Sequence, residues 1–293
     1  MKKILLLLLS AIITIGVQAQ KLTSKIGTVP DSYNFWFYNP TDSGREAKEK
    51  KPLVVFLHGA SLCGRNLERV RHYGTLDAIE KGRKIDAYVI APQNPGGAWN
   101  PGKIKNIIDW AENSQNIDSD RIYVIGMSLG GYGTLDLVAS YPDKFAAAIA
   151  LCGGASVKNL DALNKLPLWI IHGTADRAVN ISESDKVVAA MRSADGSTPR
   201  LVYNRVPGMN HSQPARMFYL KESYDWLFSH SLKDPERRVN KAFDVQSGIL
   251  RTAYSDLSAG RTRVKVSAPS RSKVSKSKSR ASRSKSSRRR RSS

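Results

Sequence analysis

Apolar residues along this chain gather in short unbroken runs, at residues 52–57 (PLVVFL), 87–91 (AYVIA), 122–126 (IYVIG), 145–151 (FAAAIAL), 168–171 (LWII) and, more weakly, 201–206 (LVYNRV). Runs without polar alternation predict strands buried on both faces, as in a parallel sheet. Between them lie segments with helical spacing, at 66–82, 103–115, 130–140, 181–194 and 214–229. In 181–194 the side chains of Val187, Val188 and Met191 fall on one helix face. The alternation predicts an α/β fold: a doubly wound, mostly parallel sheet with helices on both faces and right-handed crossovers. Residues 32–38 (SYNFWFY) predict an antiparallel edge strand. No internal repeat is present.

The two ends carry different patterns. Residues 1–19 (MKKILLLLLSAIITIGVQA) place Lys2 and Lys3 before a short apolar run that closes on Val17-Gln18-Ala19. This is the pattern of a secretory signal cleaved after Ala19. The run falls short of the ~20 residues a span needs, so the mature chain is expected to have no transmembrane span and to be secreted or periplasmic. Residues 261–293 hold 14 Lys/Arg and no Asp or Glu, whereas residues 1–260 hold 32 basic and 25 acidic residues. Most of the +21 net charge therefore sits in a Ser/Arg/Lys-rich tail that cannot bury a core and is expected to be disordered. The expected organisation is a signal at 1–19, one domain at 20–230, a linker at 231–260 and the basic tail at 261–293.

Two cysteines, Cys63 and Cys152, do not make a disulfide scaffold, and a pair or two buried thiols are both open. No pair of histidines has metal-ligand spacing, and no dinucleotide fingerprint is present. Neither a metal nor a cofactor is expected.

The chemistry begins in residues 122–133, IYVIGMSLGGYG. The strand run ends in G-x-S-x-G around Ser128, and a helical segment follows at once. A serine on so tight a strand-to-helix turn crowds its neighbours two residues away, and only glycine fits there. The hydroxyl is then lifted above the sheet at a helix N-terminus, where free N–H groups favour developing negative charge. An acid and a base follow in order. Asp176 lies in HGTADRAV, just past the run at 168–171, and His211 lies in PGMNHSQP, just past 201–206. Loops at the carboxyl ends of such strands converge. His58 and His172 read as strand-end structural histidines, His72 and His230 as surface residues. Asp185 and Asp195, in or beyond a helix, are poorer candidates for the acid.

With its order Ser, Asp, His, each from a separate strand end, the chain resembles the α/β-hydrolase superfamily over about residues 29–229. The stretches VVFLHGASLCGRN, YVIAPQNPGGAWN, GMSLGGYGTLDLVASYPDKFAAAIALCGGA and IIHGTADRAVNISES resemble a compact group within it. That group includes phospholipase/carboxylesterase-like proteins, predicted secreted peptidases, and feruloyl and acetyl esterases. The resemblance implies a serine carboxylesterase with Ser128 as nucleophile, His211 as base and Asp176 as the orienting acid. It implies an oxyanion hole from the backbone N–H groups of Ala60 and Leu129, and places Trp99 near the site, where it would stack on an aromatic acyl group or a sugar. Ser61 departs from the group, which more often has glycine after H-G-A.

Only about 16 residues join the runs ending at Leu151 and starting at Leu168, where related enzymes insert a helical lid. No large lid is expected, which suits esters carried on something bulky, such as acylated polysaccharide. Two further readings stand beside this one. A serine peptidase of the prolyl-oligopeptidase type would need a specificity domain that 293 residues do not hold. A non-catalytic polyanion-binding protein on a hydrolase fold would be expected to lose a triad member. The tail itself is suited to anionic polymers or surfaces, without base stacking, since no aromatic residue follows Tyr254.

Overall fold

The computed structural model describes residues 20–42, 49–240, 247–257 and 265–267. The expected signal at 1–19 and nearly all of the basic tail lie outside them. Among the described residues nine strands form one sheet: β1 (Gln20–Lys25), β2 (Phe35–Asp42), β3 (Lys51–Leu57), β4 (Tyr88–Pro92), β5 (Ile117–Met127), β6 (Ala147–Leu151), β7 (Leu168–Gly173), β8 (Leu201–Val206) and β9 (Lys265–Ser267). Their order is β8-β7-β6-β5-β3-β4-β2-β1-β9. The six strands from β8 to β4 are mutually parallel, while β2 pairs antiparallel with both β4 and β1.

Alternation along the parallel strands feeds two cores. Val54, Phe56, Tyr123 and Ile125 face one layer, and Leu53, Val55, Ile122 and Val124 face the other. Helices α1 (Thr75–Glu80) and α5 (Lys221–Phe228) cover the first, burying Leu76, Ile79, Tyr224 and Leu227. Helices α2 (Pro101–Ser114), α3 (Leu129–Ser140) and α4 (Ser182–Ala194) cover the second through Ile104, Ile107, Leu135, Val138, Val187 and Met191. Both faces of the sheet are thus dry, which is why its strands read as unbroken apolar runs.

Two expectations are corrected. The strand expected at the edge, β2, is interior, because β1 lies beyond it. β1 reads as polar (QKLTSK) since only Leu22 and Ser24 of its residues 22–25 are buried. The segment 66–82 is not one helix: Leu67–Arg71 is a 3-10 turn, and Gly74 at φ 96° breaks the chain before α1. A side chain at Gly74 would also meet the Phe56 ring at 2.1 Å. Finally, the described residues of the expected linker, 231–240 and 247–257, make contacts with the domain. Leu232 N–H donates to Asp120 O at 2.9 Å, and the Arg237 guanidinium donates to the carbonyls of Ala146 and Lys165 at 2.9 and 3.1 Å. Further on, a short helix, α6 (Ser247–Arg251), leads into a turn, and Leu250 and Ala253 are buried in the first core.

The strand order sets the place of the site. The chain passes from β3 to β4 on one side, then crosses back to β5, β6, β7 and β8 on the other. The loops after β3 and β5 therefore part at a topological switch point, where open α/β sheets form crevices.

Candidate active site

Ser128 joins β5 directly to α3, at φ 57° and ψ −119°. A non-glycine residue held at positive φ costs roughly 1–3 kcal/mol. The strain is held by neighbours: Ser128 N–H donates to Leu151 O at 2.8 Å. A Cβ at Gly126 would lie 2.2 Å from Gly130 O, and one at Gly130 would lie 1.9 Å from Leu57 O. Both glycines of the motif are therefore required sterically.

The three expected residues meet. His211 Nε2 lies 3.0 Å from Ser128 Oγ, and its Nδ1 lies 2.7 Å from Asp176 Oδ2. The Asp176 side chain is fully buried, and its Oδ1 accepts the N–H groups of Ala178 and Val179, each at 2.9 Å. Burial pushes this carboxyl up, but the hydrogen bonds from His211, Val179 and Ala178 outweigh it and hold the group below its ordinary value. An ionised Asp176 fixes the His211 proton on Nδ1 and leaves Nε2 as the acceptor facing the serine hydroxyl.

The turn after β3 lies beside the serine: a Cβ at Gly59 would lie 3.4 Å from Ser128 Cβ. Leu129 and Ala60 are the first residues of α3 and of the 3-10 turn Ala60–Leu62, so their N–H groups have no partner within the helix. The turn is braced from several sides. Gly59 N–H donates to the Tyr73 hydroxyl at 2.7 Å, and Arg69 donates to Ser61 O at 2.6 Å. His58, fully buried, accepts Asn94 N–H on Nε2 at 3.1 Å, so its Nδ1 donates to Gly59 O at 2.8 Å. Burial lowers its pKa to about 4, which keeps this ring neutral and structural.

Other expected residues fall elsewhere. Trp99 is only 3% exposed, with its indole N–H 3.3 Å from His58 O and its ring packed where a Gly133 Cβ would lie. It buttresses α3 and the loop after β3, and is not open to stack on a substrate. Cys63 and Cys152 are both free thiols. Cys152 Sγ groups with Asp176 and His211 within 4.8 Å, but burial pushes its thiol up, keeping it protonated and a poor metal ligand. His230 is buried against Trp226 rather than at the surface, and burial lowers its pKa to about 4. Asp185 binds the Tyr203 hydroxyl at 2.8 Å. Sequence reasoning missed Tyr73, which has no motif around it and enters only because the loop between the 3-10 turn Leu67–Arg71 and α1 folds back onto Gly59.

The surroundings are open. A cavity of about 650 Å³ runs beside His211, lined by Ala175, Arg177, Ala178, Asn210 and Ser212. The β6–β7 connection carries only a 3-10 turn, Asp161–Lys165, and is pinned back on α3 where Asp136 accepts Ser156 N–H at 2.7 Å. No helix among the described residues is long and apolar enough to cross a membrane.

Comparison with known proteins agrees with this geometry. Residues 98–224 match the phospholipase/carboxylesterase family. The chain is 33% identical over 241 residues to acetylxylan esterase A of Emericella nidulans, covering 73% of each protein. It is 30% identical over 162 residues to poly(3-hydroxyalkanoate) depolymerase C of Paucimonas lemoignei, covering 49% of this chain but only 37% of the depolymerase. Among solved structures, a thermostable esterase superimposes with a TM-score of 0.57 at 24% identity, over 73% of this chain and 64% of that one. The feruloyl esterase module of Clostridium thermocellum, complexed with sinapinate, gives 0.54 at 15% identity, over 76% and 92%. These two structures speak for the fold. The motif, the sheet order and the acetylxylan esterase relative together establish that the chain belongs to the α/β-hydrolase superfamily, among its serine esterases of the acetylxylan esterase kind.

Proposed function

We propose that this protein is an exported carboxylic-ester hydrolase that removes acyl groups from polysaccharide. The observation that carries the reading is the hydrogen-bonded line from the strained Ser128 through His211 to the buried Asp176. In the proposed reaction, Ser128 Oγ attacks the ester carbonyl carbon as its proton passes to His211 Nε2. The negative oxygen of the tetrahedral adduct accepts the N–H groups of Ala60 and Leu129. Collapse breaks the bond to the alcohol oxygen, which leaves with the proton from His211. Water then attacks the acyl-enzyme by the same route and frees Ser128 and the acid.

The substrate class rests on three supports. The site has no lid among the described residues, so an ester on a bulky polymer can reach Ser128. With Trp99 buried, the argument for an aromatic acyl group falls away and a small one is favoured. The acetylxylan esterase relative covers most of the chain. Export rests on the pattern of residues 1–19, and the basic tail is suited to hold the enzyme on an anionic surface.

The test compares acetyl release from acetylated xylan oligosaccharides with hydrolysis of methyl ferulate, poly(3-hydroxybutyrate) and a chromogenic peptide. We expect kcat/KM on the acetylated oligosaccharides at least about ten-fold above methyl ferulate, equivalent to ~1.4 kcal/mol of transition-state discrimination, with no release from the polyester or the peptide. Peptide cleavage alone would favour the peptidase reading and end this one.

A further inference from the structure

Asp176 serves two histidines, not one. His172, at the end of β7, is completely buried, and its Nε2 lies 3.3 Å from the same Oδ2 that His211 holds. The Nε2 atom also faces Val179 O at 2.9 Å. Both neighbours are acceptors, so the proton sits on Nε2. The other nitrogen, Nδ1, lies 2.8 Å from Ser184 Oγ on α4, which in turn lies 2.7 Å from Gly153 O beyond β6. The ring is thus clamped between β6, α4 and the Asp176 loop.

The two oxygens of the carboxylate offer about four acceptor positions, and four N–H groups surround them. Oδ1 takes the N–H groups of Ala178 and Val179, Oδ2 takes His211 at 2.7 Å, and the His172 Nε2 faces the same Oδ2 at 3.3 Å. We infer that His172 is a positioning residue for the Ser128 machinery, its Nε2–H sharing Asp176 Oδ2 with His211 and so limiting how strongly Asp176 holds the base. The inference rests on the proposed roles of Ser128, His211 and Asp176.

The sign follows from the sharing. With His172 gone, the buried carboxylate loses a polar N–H neighbour at 3.3 Å beside its three hydrogen bonds and turns more of its charge on His211. Protonated His211 is then held more firmly, and the acid limb of the kcat/KM profile moves to higher pH. The other titratable groups facing this cluster are the Cys152 thiol, whose burial keeps it protonated, and Glu183 on α4, held below its ordinary value by Lys186. Neither changes charge across the acid limb in the direction required to mimic the effect. Burial lowers the pKa of His172 itself, so it acts as a neutral donor.

The experiment records kcat/KM against pH for p-nitrophenyl acetate with the full chain, His172→Leu and His172→Gln. We expect the acid limb of the leucine variant to rise by roughly 0.5–1 pH unit. The glutamine variant, whose amide N–H reaches about as far as Nε2, should return it to the original position. An unmoved limb in a folded leucine variant, or equal displacement in both variants, would overturn the inference. Should the leucine variant fail to fold, Ser184→Ala loosens the ring from its other end; its limb should rise by a smaller amount, and no rise would be equally decisive against the proposal. Turnover surviving in Ser128→Ala would instead show that the underlying reading had failed.

Discussion

Replacing Ser128 by alanine should remove ester hydrolysis almost entirely, with a fall in kcat of about 10⁵–10⁶-fold, the scale seen when the nucleophile of a serine hydrolase is lost. Without Oγ, the Nε2 lone pair of His211 has no proton to take, and no covalent acyl-enzyme forms. The Ala60 and Leu129 N–H groups remain, so a small residual rate above water is expected. Folding should survive. The backbone at φ 57° is fixed by Gly126, Gly130 and the bond to Leu151 O, not by the hydroxyl. Alanine keeps the Cβ and hence the strain, so the melting temperature should stay within a few degrees. Steady-state hydrolysis of p-nitrophenyl acetate beside a thermal melt checks both halves. A variant with more than a hundredth of the original activity would remove Ser128 from the reaction.

A chain ended at Val239 should be less stable by about 3–5 kcal/mol and melt roughly 6–20 °C lower. A chain ended at Leu257 should keep most of its stability. The difference lies in residues 247–257. Leu250 is 1% exposed, and burying such a side chain contributes about 2 kcal/mol. Arg83, only 6% exposed, donates to Asp256 at 2.6 Å and, through Nε, to Tyr219 O at 2.9 Å. Half of Asp256 faces water, so the pair itself counts toward the low end. Losing Asp256, however, leaves a buried guanidinium without its counter-charge. Tyr254 also packs on Tyr219, with ring centroids 4.7 Å apart. Tyr219 closes the 3-10 turn Gln213–Tyr219, which begins two residues after His211. The shorter chain should therefore also lose activity below its melting point. Thermal melts and hydrolysis rates of the two chains check this, and equal melts would mean that residues 247–257 add nothing to the domain's stability.

The parallel strands and the three chemical residues were legible because each rule acted locally. Dry strands on both faces give unbroken apolar runs, and the tight turn at Ser128 forces Gly126 and Gly130 onto the sequence. Asp176 and His211 were found because they follow strand ends in order. What stayed hidden depends on neighbours far along the chain. β1 buries only Leu22 and Ser24 from its residues 22–25, too few to mark a strand. Residues 247–257 bury Leu250 and Ala253 against a core made elsewhere, and nothing in their own pattern shows that surface. Trp99 stands beside a candidate loop in sequence, yet the bare face of Gly133 draws it inward. His172 reads as a strand-end histidine, and its link to Asp176 comes from the loop curling back by four residues, a turn that spacing alone does not fix.

The most direct test of the central claim is stoichiometric reaction with an alkyl fluorophosphonate, followed by intact mass and peptide mapping. The account predicts one adduct per chain on Ser128, with no adduct in Ser128→Ala and slow labelling in His211→Ala. An adduct on any other residue, or an unreactive folded enzyme, would contradict it.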